Sequence, residues 1–361
     1  RMGGLQPELL ARLRDIAETQ HCPLLLEGDG SRRRPLKAPA AHEPVIPEWV
    51  DTVVVVAGLS GIGQPLSDLC VHRPEMFRSL CRLEFGEKIT VSALADVLNH
   101  PMGGLKGIPN GARRVALLNQ ADDADCQASA QRLAGHLQGK YQAVLVAALA
   151  TRQPLEASKR ILAVYEPVAG VILAAGASSR LGKPKQVLPW RGEPLVRHVA
   201  RAALSAGLSP VVVVTGSAAA EVQAAVQDLP VVVENNLAWK DGQSSSLKTG
   251  LAALPADCGA AVFLLADQPQ VSAGLVRGLV ELHTQTLSPL VAPLVNGRRG
   301  NPVLFDRLTF PDLNNLSGDV GGRALFSQYQ AAWLPWLDPD QALDVDTEED
   351  YTRLLEIGGE A

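Results

Sequence analysis

Residues 171–190, VILAAGASSRLGKPKQVLPW, gather a glycine, a run of small residues, an arginine and two lysines, the residue types that hold an anion. A P-loop needs G-x-x-x-x-G-K-[ST], whose last hydroxyl binds magnesium, but five residues separate Gly176 from Gly182, and Pro184 follows Lys183. The dinucleotide pattern G-x-G-x-x-G fails as well, because no second glycine stands two residues after Gly176. What remains is an apolar run closing on Leu173, Ala174 and Ala175, then Gly176 and small residues including Ser178 and Ser179, with a turn at Gly182. Backbone amides there can approach a triphosphate without side chains in the way. Arg180 and Lys185 would supply fixed positive charge where a phosphoryl group gains negative charge. A plain strand–turn connection with solvated Arg180 and Lys185 fits the same residues about equally well.

A second cluster is carboxylate. In FLLADQPQV four apolar residues run into Asp267, at the carboxyl end of a buried strand, where open α/β sheets gather ligands. A hard oxygen ligand there suits magnesium, although an Asp before a helix also serves as an N-cap. The segment ENNLAWKDGQSSSLKTGL carries Asn235, Gly242, Ser244 and Ser245, donors able to hold a sugar or base, or to cap a helix. NGRRGNPVLF sets Arg299, Gly300 and Asn301 together, and DVDTEEDY presents Asp344 and Asp346 before a final helix.

These residues need a scaffold, and both halves of the 361-residue chain alternate β-branched runs with helix-period segments, the pattern of α/β parallel sheets with crossover helices. Two domains are expected at this length: 1–150, a linker at 151–166 without a strong element, and 167–361. Strands are expected over CPLLLEG, TVVVVAG, RRVALLNQ and YQAVLVAAL in the first half. In the second they fall on VAGVILAAG, PVVVVTG, PVVVEN, AAVFLLAD, PLVAPLV and AAWLPWL. The first helix of the second half should bury Leu195, Val199, Ala202, Ala203 and Ala206 and stop at Gly207.

Composition narrows the class. Hydrophobic residues make up 47% and charged residues 20%, and no apolar run nears the roughly 18 residues of a membrane span. Residues 1–166 hold 19 Lys+Arg against 18 Asp+Glu, and the remainder 14 against 20, so neither half has the basic excess of a nucleic-acid binder. Five scattered cysteines show no zinc spacing, and AHEPVIP lacks the second histidine of H-E-x-x-H. Reduced thiols and no basic-then-apolar leader predict a cytoplasmic protein. The chain opens with Arg1 rather than methionine, as one that had lost a front portion would.

With these motifs in view, residues 168–357 resemble the MobA-like nucleotidyltransferases with a Rossmann-like sheet, and within them the molybdenum cofactor cytidylyltransferases. The carrying motifs are LAAGASSRLGKPKQVLPW, DGQSSSLKTGL, LLADQPQV, GRRGNPVLF, GDVGGRALF and DVDTEED, in the family's order. The resemblance implies transfer of CMP from CTP to Mo-molybdopterin, with Mg2+ as cofactor and pyrophosphate as co-product. Ala175 and the KQVLPW continuation, where guanylyltransferases show L-A-G-G and an Asp before the lysine, favour CTP over GTP. It also implies the roles: residues 175–181 around the triphosphate, Arg180 and Lys185 on the transition state, Asp267 and Asp346 on the metal, Ser244 with its neighbours near the nucleotide, and Arg299, Gly300 and Asn301 near the pterin. The first half is similar to YqeC-like accessory proteins of selenium-dependent molybdenum hydroxylases, through LLLEGDGSRRRPLKAPAAHEPVIP and HPMGGLKGIPNGARRVALLNQADD. Such proteins begin with a strand and phosphate loop, absent here before Pro7, and Asp29 resembles their magnesium-side carboxylate. An apo molybdenum hydroxylase is the implied partner. Guanylyl transfer on the same fold, or non-catalytic cofactor carriage, are the alternatives.

Overall fold

The computed structural model of the protein describes residues 7–149, 160–178, 180–338 and 343–358. Contacts divide the chain into two compact units, Arg1–Arg114 with Leu118–Leu137, and Val115–Leu117 with Gln138–Ala361.

The first unit carries, among others, the helices Pro7–Thr19, Val91–Asn99 and Ala124–Leu137. Thr90 starts the second, its hydroxyl accepting the Ala93 N–H at 3.1 Å. Residues 22–28, expected as a strand, form no regular element; Leu24 and Leu26 are half-buried and Leu25 is 90% exposed. Asp29 therefore does not end a strand, and its carboxylate pairs with the Lys37 ammonium.

The second unit is built on one mixed sheet. Its strands are β1 (Val168–Ala174), β2 (Val211–Thr215), β3 (Val232–Asn235), β4 (Ala260–Leu265), β5 (Leu290–Val295), β6 (Arg298–Arg299), β7 (Val303–Asp306) and β8 (Ala331–Trp336). Across the sheet they run β3-β2-β1-β4-β7-β5-β6, with β8 pairing β5. The first four are mutually parallel; β7 is antiparallel to β4 and β5, and β8 is parallel to β5. The chain builds outward from β1 through β2 to β3, then returns to place β4 on the other side of β1. That reversal opens a crevice at the carboxyl ends of β1 and β4. Elsewhere in this unit, Ile161–Tyr165, read from sequence as linker, is a strand paired antiparallel with Ala143–Ala147. Residues 150–159 lie outside the described residues.

Alternation along β1 sends successive side chains to opposite faces. Ile172 and Ala174 join the core made with helices α1 (Leu195–Ser205), α2 (Ala219–Val226) and α4 (Ala273–Thr286), while Ala169 and Val171 face α3 (Gln243–Ala252) and α5 (Phe310–Asn315). On α1 the buried stripe is Leu195, Val196, Val199, Ala200 and Ala203; Ala202 and Ala206 are only half-buried, so the face is rotated from the expected one. The chain reverses at Gly207, φ +85°, as a left-handed stop requires. Helix α3 comes down on β1 at Gly250, where an added Cβ would lie 2.4 Å from Val171 Cγ1. A smaller cluster joins Leu181, Leu188 and Trp190 to Val345 and to Leu354 of α6 (Glu348–Gly358). Trp190 Nε1 donates to the Leu354 carbonyl at 3.2 Å, and the Tyr351 hydroxyl donates to the Pro189 carbonyl at 2.6 Å. These contacts bring residues 343–347 up to the crevice.

Candidate active site

At the end of β1 the chain enters the small-residue loop with its carbonyls tied from beneath. The buried amide of Gln186 donates to the carbonyls of Ala174 at 3.1 Å and Gly176 at 2.7 Å, and the Ser217 hydroxyl donates to Gly176 at 2.7 Å. Ser178 turns with φ 52°, and its hydroxyl accepts the Lys185 N–H at 3.1 Å. Among the described residues, no partner takes the N–H groups of Gly176, Ala177 and Ser178. A Cβ on Gly176 would meet nothing within 4 Å, so this glycine is not demanded by the protein's own packing. Free amides beside open space are what an anion needs.

At the end of β4 stands Asp267. The Lys185 ammonium lies between its carboxylate and that of Asp346, with Nζ 2.7 Å from Asp346 Oδ1, and Arg180 Nη2 reaches Asp346 Oδ2 at 2.9 Å. Two bonds fasten the two acidic segments together: Val345 N–H to the Asp267 carbonyl at 3.1 Å, and Gln268 Nε2 to Asp344 Oδ1 at 2.7 Å. Charge follows geometry. Burial works against the Lys185 charge, but Asp267 and Asp346 outweigh it and hold the ammonium above its ordinary range. The Lys185 hydrogen bond holds Asp346 below the usual carboxylate range. Desolvation of the carboxyl, with the Asp267 charge beside it, raises Asp344.

Leu173, Ala175, Gly176, Arg180, Lys185, Asp267, Arg299, Gly300, Asn301 and Asp346 line one cleft of about 1290 Å³. Ala174 is buried under the loop and Gly182 sits in the turn that follows it, φ +70°. Ser179 lies outside the described residues. Asn235 ends β3 exposed and outside the cleft wall. Its neighbour Asn236 is the buried one, donating to the hydroxyls of Ser245 at 2.8 Å and Ser246 at 3.0 Å. Ser244 and Ser245 brace the backbone, donating to the carbonyls of Gly318 and Gly242 at 2.8 Å each. Ser246 lines the cleft instead. It shares a helical face with Leu247 and Gly250, a spacing visible in the sequence. Gln186, Trp239, Asp319, Arg323 and Phe326 also reach the cleft unforeseen; nothing in KQV marks Gln186 as a buried amide.

Residues 170–332 match the MobA-like NTP transferase domain family, and residues 1–75 match the YqeC protein family. Nicotine blue oxidoreductase of Paenarthrobacter nicotinovorans is 37% identical over 203 residues, 52% of this chain and 96% of that relative. The chain is 32% identical to a probable molybdenum cofactor guanylyltransferase of Bacillus cereus over 131 residues, 36% of this chain and 64% of the relative. It is also 36% identical to YqeC of Escherichia coli over 117 residues, 32% of this chain, and spans 45% of that protein's length. With its nucleotidyltransferase-type sheet and cleft in the second unit, the chain belongs to the MobA-like NTP transferase family, and its residues 1–75 are similar to the YqeC protein family.

Proposed function

We propose that the second unit transfers CMP from CTP to the terminal phosphate of Mo-molybdopterin, giving molybdopterin cytosine dinucleotide and pyrophosphate for delivery to an apo molybdenum hydroxylase. The observation that carries this reading is the row of free amides at Gly176–Ser178 beside Lys185, which two carboxylates share, at the sheet's switch point. At about 1290 Å³ the cleft exceeds the ~300–1,000 Å³ of an ordinary small-molecule pocket, which leaves room for nucleotide and acceptor together.

In the reaction an acceptor phosphate oxygen forms a bond to the α-phosphorus while the bond to the bridging oxygen breaks, the electron pair leaving with pyrophosphate. An ionised acceptor needs no general base, so the protein's task is positioning and charge neutralisation. The loop amides hold the triphosphate, and Arg180 and Lys185 stand where charge grows on the leaving group. Asp267 and Asp346 already share one cation, the Lys185 ammonium, and as hard oxygen donors they fit magnesium, which binds through one or two carboxylates plus substrate phosphates. When bound, that ion supplies further neutralisation of phosphate charge. Ala175 at the end of the LAA run supports CTP over GTP.

The relative named as an oxidoreductase favours a second reading, electron transfer on the same fold. One experiment separates the two. Pyrophosphate release is followed with magnesium, Mo-molybdopterin and CTP or GTP in turn, and in parallel the oxidation of a reduced nicotinamide nucleotide by nicotine blue. CTP-dependent release that falls about 100-fold or more in Lys185→Ala and Asp267→Ala supports the transferase. Release with neither nucleotide from folded protein overturns it, and dye reduction in its place establishes the second reading.

A further inference from the structure

The loop after β1 offers its amides to a ligand only if its peptide planes face the right way, and one of those planes is free to turn over. Gly176 carries no Cβ, so rotation of the Gly176–Ala177 peptide meets little steric resistance on that side. A trans peptide is planar, with its C=O and N–H pointing in opposite directions. With the Gly176 carbonyl turned inward, the Ala177 N–H faces the cleft that both residues line. With the plane reversed, the negative end of the carbonyl would face the cleft instead.

Hydrogen bonds from the protein's own side choose between the two. The Gly176 carbonyl accepts from Gln186 Nε2 and from the Ser217 hydroxyl, at 2.7 Å each, so both of its lone pairs are engaged. Gln186 Nε2 gives its other hydrogen to the Ala174 carbonyl at 3.1 Å, and the Ser178 hydroxyl reaches Gln186 Oε1 at 3.5 Å, which fixes the orientation of the amide. The Ala175 carbonyl accepts the Ser217 N–H at 3.2 Å, which turns the Gly176 N–H outward in the same manner. Ser217 comes this close because Gly216 precedes it: an added Cβ there would lie 2.7 Å from the Ala175 carbonyl oxygen. Gln186 sits in the 3₁₀ turn Lys185–Val187, where successive side chains are about 120° apart. One turn therefore sends Lys185 to the carboxylates of Asp267 and Asp346 and buries Gln186 beneath the loop.

We infer that Gln186, seconded by Ser217, is the positioning residue that sets the polarity of the anion loop, holding the Gly176 carbonyl inward and so aiming the Ala177 N–H at a phosphate of the ligand. Both amide hydrogens of Gln186 are engaged by the backbone, so it acts through the peptide plane rather than on the phosphate. The inference rests on the reading of this loop as the holder of the triphosphate.

The test is calorimetric titration of the full chain with inorganic tripolyphosphate and with CTP. Wild type is compared with Gln186→Met, Gln186→Glu and Ser217→Ala, each shown to be folded by its melting curve and titrated well below its melting temperature. Methionine matches the length of glutamine and donates nothing, so both ligands should bind about tenfold more weakly in Gln186→Met. A glutamic acid offers at most one hydrogen in place of two and should weaken both as well. Ser217→Ala removes one exposed hydroxyl and should cost a few-fold, which keeps the test open should a substitution at the buried Gln186 fail to fold. In protein carrying isotope-labelled alanine, saturating tripolyphosphate should move the Ala177 amide proton resonance downfield in wild type but not in Gln186→Met; the resonance is assigned by its disappearance in Ala177→Gly. Unaltered affinity in every folded variant overturns the positioning role and leaves the triphosphate reading standing. Weakened binding with the Ala177 shift retained also overturns it, because the peptide would then still face the ligand. Wild-type protein that binds neither tripolyphosphate nor CTP overturns the triphosphate reading and the role together.

Discussion

Gly176 is the residue at which the protein's own packing and a ligand's needs come apart. No atom lies within 4 Å of an added Cβ, and the backbone there is not in the left-handed region, so Gly176→Ala should leave the melting temperature within about 1 °C of wild type. On the proposed function, a methyl group would instead crowd the amides proposed to hold the triphosphate. The expected outcome is a KM for CTP raised about tenfold or more, read from initial rates of pyrophosphate release. The glycine, the small residues and the basic pair could be read from sequence because their types are unusual in combination. Gln186, which ties down the Ala174 and Gly176 carbonyls, could not: a buried amide has no signature until its partners are known. The same holds for Asn236, where the sequence offered two adjacent asparagines and only the fold decides which one turns inward.

Among the elements, the parallel strands β1 to β4 were legible because buried β-branched runs such as VVVV have few alternatives. The antiparallel insertion of β7 between β4 and β5 was not, since VLF carries no mark of direction. Residues 22–28 misled for a different reason: LLL suggests a buried strand, but Leu24 and Leu26 are only half-buried, Leu25 is exposed and the run pairs with no strand among the described residues. Packing of α3 on β1 turns on a single position. Gly250→Ala would place its methyl 2.4 Å from Val171 Cγ1, and the helix must shift or the valine leave its rotamer. A loss of about 1–3 kcal/mol in stability is expected from denaturant melts, with reduced turnover, because Ser246 and the nearby cleft wall ride on the same helix.

At the scale of the whole molecule, the cleft is built by the second unit alone, since every residue that lines it lies between positions 173 and 346. No helix among the described residues is long and apolar enough to cross a membrane. The lysine shared by two carboxylates has a further consequence, which concerns time. Lys185 meets Asp267 across 82 positions of sequence and Asp346 across 161, and each such closure must be completed before either pair contributes anything. Helices and the β1–β2 pair involve much nearer neighbours and can form without it. In refolding from denaturant, the far-ultraviolet helix signal should therefore return first and the capacity to release pyrophosphate measurably later. The chain acquires its shape before it acquires its chemistry, and a partly folded molecule has no assembled centre in which to carry out the proposed transfer.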